Sequence, residues 1–201
     1  MTQKECPFQS STWLYENCIL VDLKAPNESI DPVELYDVTI RNADLGGSVL
    51  RRWVFEECEL IDCDLSQSFF EGCIFQGCTF IGCRMIGGKF EKMSTLQGPL
   101  NFKDSVLSFS SFAKAQLTGT HFERCDLTEV DWTGANLESV HFRECSLKGG
   151  LFSEVNLNKA CIASSNITMT ELQDAQLHST IISSNQAIEF ARLNGFIIDQ
   201  D

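Results

Sequence analysis

Large apolar residues recur at every fifth position. Phe102, Leu107, Phe112, Leu117, Phe122, Leu127, Trp132, Leu137, Phe142, Leu147, Phe152, Leu157, Ile162, Ile167, Leu172, Leu177 and Ile182 form 17 consecutive hits. An earlier run from Ile30 through Leu35, Ile40, Leu45 and Phe55 to Phe90 holds for 13. With about half of all residues counted as apolar, 30 such hits arise by chance on the order of 10⁻⁹ of the time. A second pattern accompanies the first. Two residues before each large one, from Ser105 to Thr180, every residue is Ala, Cys, Gly, Ser, Thr or Val.

Two inward positions separated by one outward position describe an extended segment. A straight strand cannot carry an odd period, because the fifth residue would fall on the opposite face. A helix fails as well, since five residues advance about 500° and the apolar stripe would wander round the cylinder. What remains is a short extended piece followed by a turn, repeated, so that the chain winds round its own apolar axis. The small residue beside each large one lets a narrow interior fill without strain. The pattern predicts an all-β solenoid.

The segments Ala43-Asp44-Leu45, Cys63-Asp64-Leu65, Cys125-Asp126-Leu127 and Ala135-Asn136-Leu137 resemble the A(D/N)LXX unit of the pentapeptide-repeat family over roughly residues 35–182. The resemblance implies a right-handed quadrilateral β-helix with four pentads, or 20 residues, per coil. On that arrangement Phe102, Phe122 and Phe142 stack in one column and Leu117, Leu137, Leu157 and Leu177 in another, at about 4.8 Å spacing. Asn136, Asn156 and Gln176 are expected to form an amide ladder outside the second column.

The chain divides into three parts: residues 1–34, an N-terminal cap and irregular first coil with Pro26, Pro32 and Glu28; residues 35–182, the regular solenoid; and residues 183–201. The register slips once, between Phe90 and Phe102, where two extra residues enter a segment containing Gly98 and Pro99. This is either a tolerated bulge or a protruding contact loop carrying Lys92, Met93, Thr95, Leu96, Gln97 and Pro99. After Ile182, Ser183 and Gln186 have capping-box spacing, an apolar helical stripe follows, and Asn194-Gly195 reads as its C-cap. Phe190, Leu193, Phe196, Ile197 and Ile198 then supply more apolar surface than capping requires. A terminal helix and short strand that pair with a second copy are expected, closing a two-fold homodimer.

Eight of the ten cysteines (Cys18, Cys58, Cys63, Cys73, Cys78, Cys83, Cys125, Cys145) occupy the small inward position, where cysteine acts as a small hydrophobe. Stacking at about 4.8 Å is too wide for a disulfide, so reduced thiols are expected. His121, His141 and Cys161 fall in one outward column; they are surface residues in register or, less simply, a soft-metal site. No cofactor is expected. Catalytic motifs such as GxSxG, HExxH or a phosphate-binding glycine loop are missing, and an enzyme is not expected.

The 201 residues carry 28 acidic and 15 basic side chains, a net charge of −13. Direct nucleic-acid binding is therefore disfavoured, and a basic protein surface is the natural partner. No run approaches the ~18 apolar residues of a membrane span, and the first residues lack a secretory pattern, so a cytoplasmic location is expected. Residues 1–100 carry net −7 and residues 101–201 net −6, so the charge is spread along the axis. About eight coils per chain make a dimer of roughly 80 Å with one net charge per ~3 Å, against one per ~1.7 Å in B-DNA.

His141-Phe142-Arg143-Glu144-Cys145-Ser146-Leu147-Lys148-Gly149 and Cys83-Arg84-Met85-Ile86-Gly87-Gly88-Lys89-Phe90 are similar to segments of Qnr-type quinolone-resistance and albicidin- or microcin-immunity proteins. That resemblance implies a DNA-mimicking homodimer that binds DNA gyrase or topoisomerase IV and protects it from quinolone- or peptide-type inhibitors. In the Qnr group, projecting loops matter for protection, and the 91–101 insertion is the nearest equivalent. The competing expectation is an acidic scaffold rod with another protein partner.

Overall fold

A computed structural model describes residues 3–8, 14–24, 32–94, 98–170, 172, 174–193 and 195–198. Among the described residues the pentads form strands of two to four residues or isolated bridges, and the coils hydrogen-bond in parallel. Four pentads close a coil, giving the right-handed quadrilateral β-helix. The first face is an eight-stranded parallel sheet running from Lys4–Glu5 through Cys18–Val21 and Thr39–Arg41 to His141–Arg143, and bridges extend it to Cys161 and Ile181. Its inward column is Leu20, Ile40, Leu60, Phe80, Phe102, Phe122, Phe142 and Ile162, all buried. The second face points Leu45, Leu65, Met85, Leu107, Leu127 and Leu147 inward, the third Leu50, Phe70, Phe90, Phe112, Trp132 and Phe152, and the fourth Tyr15, Leu35, Phe55, Phe75, Leu117, Leu137 and Leu157.

Like stacks on like. The Phe102–Phe122 and Phe122–Phe142 ring centroids lie 4.8 and 5.0 Å apart, as the sequence implied, and on the third face the Phe70–Phe90 and Phe90–Phe112 pairs are each at 4.5 Å. Perpendicular neighbours fill the corners between columns, as Trp132 does against Phe122 and Phe142 at 5.7 and 5.8 Å. Such stacks add to the gain from burial alone. Two residues beyond most inward residues the backbone turns through the left-handed region, as at Asp22 (φ 54°), Asn42 (φ 53°) and Asp62 (φ 54°). Asp, Asn and Gly recur at these corners because they enter that region at least cost.

The small inward position does more than fit. Thiols and hydroxyls there donate to the carbonyl of the large residue 23 positions earlier: Ser68 Oγ to Leu45 O at 2.7 Å, Thr170 Oγ1 to Leu147 O at 2.8 Å, Cys73 Sγ to Leu50 O at 3.2 Å and Cys83 Sγ to Leu60 O at 3.2 Å. The cysteines therefore tie coil to coil as weak donors as well as filling space. All ten are free thiols. Burial pushes the Cys73 thiol up to about 12, so it stays protonated and unreactive near neutrality.

The first coil expected within residues 1–34 is paired: Leu14–Glu16 lies in register with Glu34–Tyr36, and Cys18–Val21 with Thr39–Arg41. Tyr15 and Leu20 lie on the same five-residue grid as Leu35 and Ile40, and residues 25–31 lie outside the described ones. Phe8 covers the open N-terminal end, its ring 5.6 Å from Tyr15 and 6.4 Å from Trp53.

From residue 14 onward partners are 20 residues apart except across the insertion, where Thr79 pairs with Asn101, Arg84 with Val106 and Lys89 with Ser111; before that, Lys4 pairs with Cys18. Ile74 still pairs with Ser94, so the two extra residues fall between Ser94 and Asn101.

Replacing one ring of a stack should open a cavity that rigid neighbouring coils cannot close. Phe122→Ala is expected to cost about 3–5 kcal/mol, read as a lower midpoint in urea or heat unfolding. A loss below about 1 kcal/mol would show that the columns relax like an ordinary core.

Candidate protein-docking site

Because a coil repeats every 20 residues, outward side chains line up in columns about 4.8 Å apart, and the columns differ sharply in charge. On the fourth face and the corner after it, between residues 14 and 57, stand Glu16, Glu34, Asp37, Glu56 and Glu57 with no Lys or Arg among them. The strands Leu14–Glu16, Glu34–Tyr36, Val54–Glu56 and Ile74–Gln76 hold this row in register. The Tyr36 hydroxyl, which donates to Glu34 Oε2 at 3.2 Å, is held above its ordinary pKa by desolvation first and then by the carboxylates of Glu34, Glu56 and Glu16.

The first face differs. There Arg124 binds Asp104 at 2.6 and 2.9 Å and also Glu123, while Arg143 lies 3.6 Å from Glu144 and Lys103 3.8 Å from Glu123. Arg124 holds the Asp104 carboxyl below its usual range. The charge that is even along the axis is therefore uneven around it: internally paired on the first face, unpaired by Lys or Arg on the N-terminal half of the fourth. Counting charges by halves of the sequence missed this; reading outward residues at steps of 20 would have found it.

The C-terminal end is the second feature. Helix α1 spans Ser184–Leu193. The capping box read from the sequence is formed: Ser183 N donates to Gln186 Oε1 at 2.8 Å and Gln186 N to Ser183 Oγ at 3.3 Å. Gln186 also donates through Nε2 to Ile162 O at 2.9 Å and Ser165 O at 2.8 Å, satisfying carbonyls of the last coils. Gly195 (φ 81°) ends the helix, with Gly195 N on Arg192 O and Phe196 N on Ala191 O, both 3.0 Å, in a Schellman motif. Asn194, expected in this cap, lies outside the described residues. Gln186 is the one buried residue of the helix. Phe190 is half-buried against the core and Ile198 half-buried, while Leu193 is 73% exposed, Phe196 67% and Ile197 98%. The short strand expected after the helix is not formed at 195–198, since an extended segment becomes a strand only when paired.

The fold and these surfaces can now be set beside known proteins. The family model "Pentapeptide repeat region" matches residues 53–132 and 73–150. Residues 53–150 are a pentapeptide-repeat region. Among curated proteins no sequence match is found. Among solved structures, trypsin-treated QnrB1, described as a plasmid-mediated fluoroquinolone resistance protein, is similar at a TM-score of 0.60 with 20% identity, covering 99% of this chain and 100% of that one. Full-length QnrB1 is similar at a TM-score of 0.60 with 18% identity, covering 96% of this chain and 97% of the other. At these identities the likeness is one of fold.

Of the residues expected in a contact loop, Lys92 and Met93 belong to a regular coil. Met93 sits at the small inward position and is buried in the core, so it is no contact residue; its long flexible side chain fills that position. Lys92 is exposed and pairs with Glu71 at 3.2 Å, within a regular coil. Pro99 is exposed, and Thr95, Leu96 and Gln97 lie outside the described residues. The amide ladder exists with one rung shifted: Asn156 Nδ2 donates to Asn136 Oδ1 at 3.0 Å and Asn136 Nδ2 to Gln116 Oε1 at 3.2 Å, whereas Gln176 is met by Asn158 at 3.4 Å.

His121, His141 and Cys161 do share one column, with the imidazole centroids 4.9 Å apart, but among the described residues no three side chains are gathered as metal ligands. His121 is held below its ordinary pKa, by desolvation first and by His141 second. A depressed folded-state value means that this contribution to stability is complete above the unfolded pKa near 6.5 and is lost as pH falls through the folded value. Acidification from about pH 7.5 to about 5.5 should therefore lower the melting temperature more in the wild type than in His121→Gln. Equal losses in both would remove the histidine pair as a source of acid sensitivity.

Proposed function

We propose that this protein is a dimeric DNA mimic that binds a type II topoisomerase, DNA gyrase or topoisomerase IV, and modulates it or protects it from quinolone- or peptide-type inhibitors. The observation that carries the reading is the row of Glu16, Glu34, Asp37, Glu56 and Glu57, carboxylates on a stiff frame without Lys or Arg beside them. A rigid row of negative charge at about 4.8 Å per rung can occupy a basic saddle built for phosphates and gains affinity by displacing the same counterions. The full-length likeness of fold to QnrB1, a fluoroquinolone resistance protein, supports the same reading.

Dimerisation belongs to it. A ten-residue helix that buries only Gln186 has little tertiary support, and isolated helices of this length are marginal in water. Leu193, Phe196 and Ile197, with Phe190 and Ile198 beside them, would find cover on a twin subunit across a two-fold axis. Two rods joined at these ends present the acidic face twice. The rod binds rather than catalyses, and its work needs no cofactor. A cytoplasmic location follows from the partner.

The test is gyrase supercoiling with and without a fluoroquinolone, at low and moderate salt. Recovery of supercoiling under drug is expected, weakening as salt rises. Glu56→Lys with Glu57→Lys should shift the effective concentration upward by about tenfold or more. Leu193→Asp with Phe196→Ser should give a monomer near 22.5 kDa by light scattering. No effect of the protein on gyrase or topoisomerase IV in either arm, or an effect indifferent to salt, would leave an acidic scaffold with another partner.

A further inference from the structure

The third face is unlike the other three. Its outward rows carry Val49, Phe69, Lys89, Ser111, Asp131 and Leu151 in one register column and Arg51, Glu71 and Glu91 beside them, with Val49–Arg51 paired to Phe69–Glu71. Between residues 49 and 114 this face and the corner after it hold Arg51, Arg52, Lys89, Lys92 and Lys114 against two carboxylates, Glu71 and Glu91. On a chain of net charge −13 this is a local reversal of sign.

Exposed apolar surface concentrates on the same face. Between the ends of the rod, the large apolar residues left exposed among the described ones are Val21, Val49, Phe69, Phe109, Leu151 and Met169, and all but Val21 lie on the third face or at the corner leading into it. Phe109 and Met169 even take the left-handed corner conformation, both at φ 61°, where bulky residues are uncommon.

Charge and apolar surface meet in one groove of about 390 Å³. Phe70, Val49 (40% exposed) and Phe69 (49%) line it, together with Arg51, Lys89 and Lys92 and the carboxylates Glu71 and Glu91. Glu71 is already engaged by Arg51 at 3.5 Å and Lys92 at 3.2 Å. Ligand sites span about 300–1,000 Å³, so this one is the size of one or two side chains rather than of a folded element.

We propose that this groove is a second docking site, taking an acidic peptide segment of a partner protein that seats one apolar side chain against Phe69 and Val49 while its carboxylates meet Lys89 and compete with Glu71 for Arg51 and Lys92. Charge complementarity selects this occupant. The acidic fourth face and the net charge repel an anionic segment elsewhere, and a basic segment would go to the fourth face instead. The site is independent of the topoisomerase reading, because it lies on a different face and takes the opposite charge. A rod carrying both could hold a basic surface on one side and an acidic segment on another.

The probe is a dansylated hexapeptide, Glu-Asp-Leu-Phe-Asp-Glu, followed by fluorescence anisotropy with the full chain. Saturable binding is expected, weakened about tenfold or more by Phe69→Ser and by Lys89→Glu, with melting temperatures unchanged because both side chains point outward. Leu151→Ser on the same face, and Leu193→Asp with Phe196→Ser at the C-terminal end, should bind as the wild type does. Amide shift perturbations in the unmodified protein should centre on residues 49, 69 and 89, which secures the result should a variant misfold. The proposal is overturned by no saturation up to about 1 mM peptide, by binding indifferent to Phe69→Ser and Lys89→Glu, or by equal binding of a Lys/Arg version of the peptide. Displacement of the peptide by a ten-nucleotide oligothymidine at lower concentration would make the groove a nucleic-acid site and overturn it too.

Discussion

Everything in this molecule depends on one constraint: each coil must lie on the previous one in a register of 20 residues. Parallel backbone bonds set the rung spacing, and that spacing forces every inward side chain to meet its counterpart one coil away. A phenyl ring stacks on a phenyl ring at 4.5–5.0 Å in the best columns. The same spacing puts small residues beneath the preceding turn, where Ser68, Cys73, Cys83 and Thr170 close hydrogen bonds that a larger residue would block. A two-residue insertion between Ser94 and Asn101 is absorbed, and the register resumes on every face beyond it.

The register that packs the inside also sorts the outside. Side chains 20 apart in sequence become neighbours, so chemistry that looks dispersed along the chain is gathered into stripes. Carboxylates at 16, 34, 37, 56 and 57 become one acidic face, while cations at 51, 89 and 92, with carboxylates at 71 and 91, gather around an apolar groove on the face before it. A stiff frame makes both stripes useful, since little conformational entropy is lost when a partner binds a surface already ordered. On this view the rod acts as a display of fixed charge columns, and its faces can serve different partners.

The two ends solve the problem every solenoid has, an exposed last coil. Phe8 covers Tyr15 and Trp53 at one end. At the other, Gln186 joins helix to coil by capping its own helix and two carbonyls, at Ile162 and Ser165, at once. The helix so placed leaves Leu193, Phe196 and Ile197 exposed.

Sequence alone determined the solenoid, because a strict five-residue period with a small residue two places earlier admits no other regular backbone. It also determined the inward thiols and the Ser183–Gln186 box, which depend on local spacing, whereas the aromatic columns followed from the 20-residue coil that the family resemblance implied. The first coil was legible in Tyr15 and Leu20, which lie on the grid. Met93 was legible as an inward position but was read as loop because the insertion follows it. The second duty of Gln186 and the grouping of Val49, Phe69 and Lys89 into a groove were decided by the tertiary structure. Both depend on which atoms lie 4.8 Å away across coils, a distance that sequence separation of 20 or more residues does not express until the register is fixed.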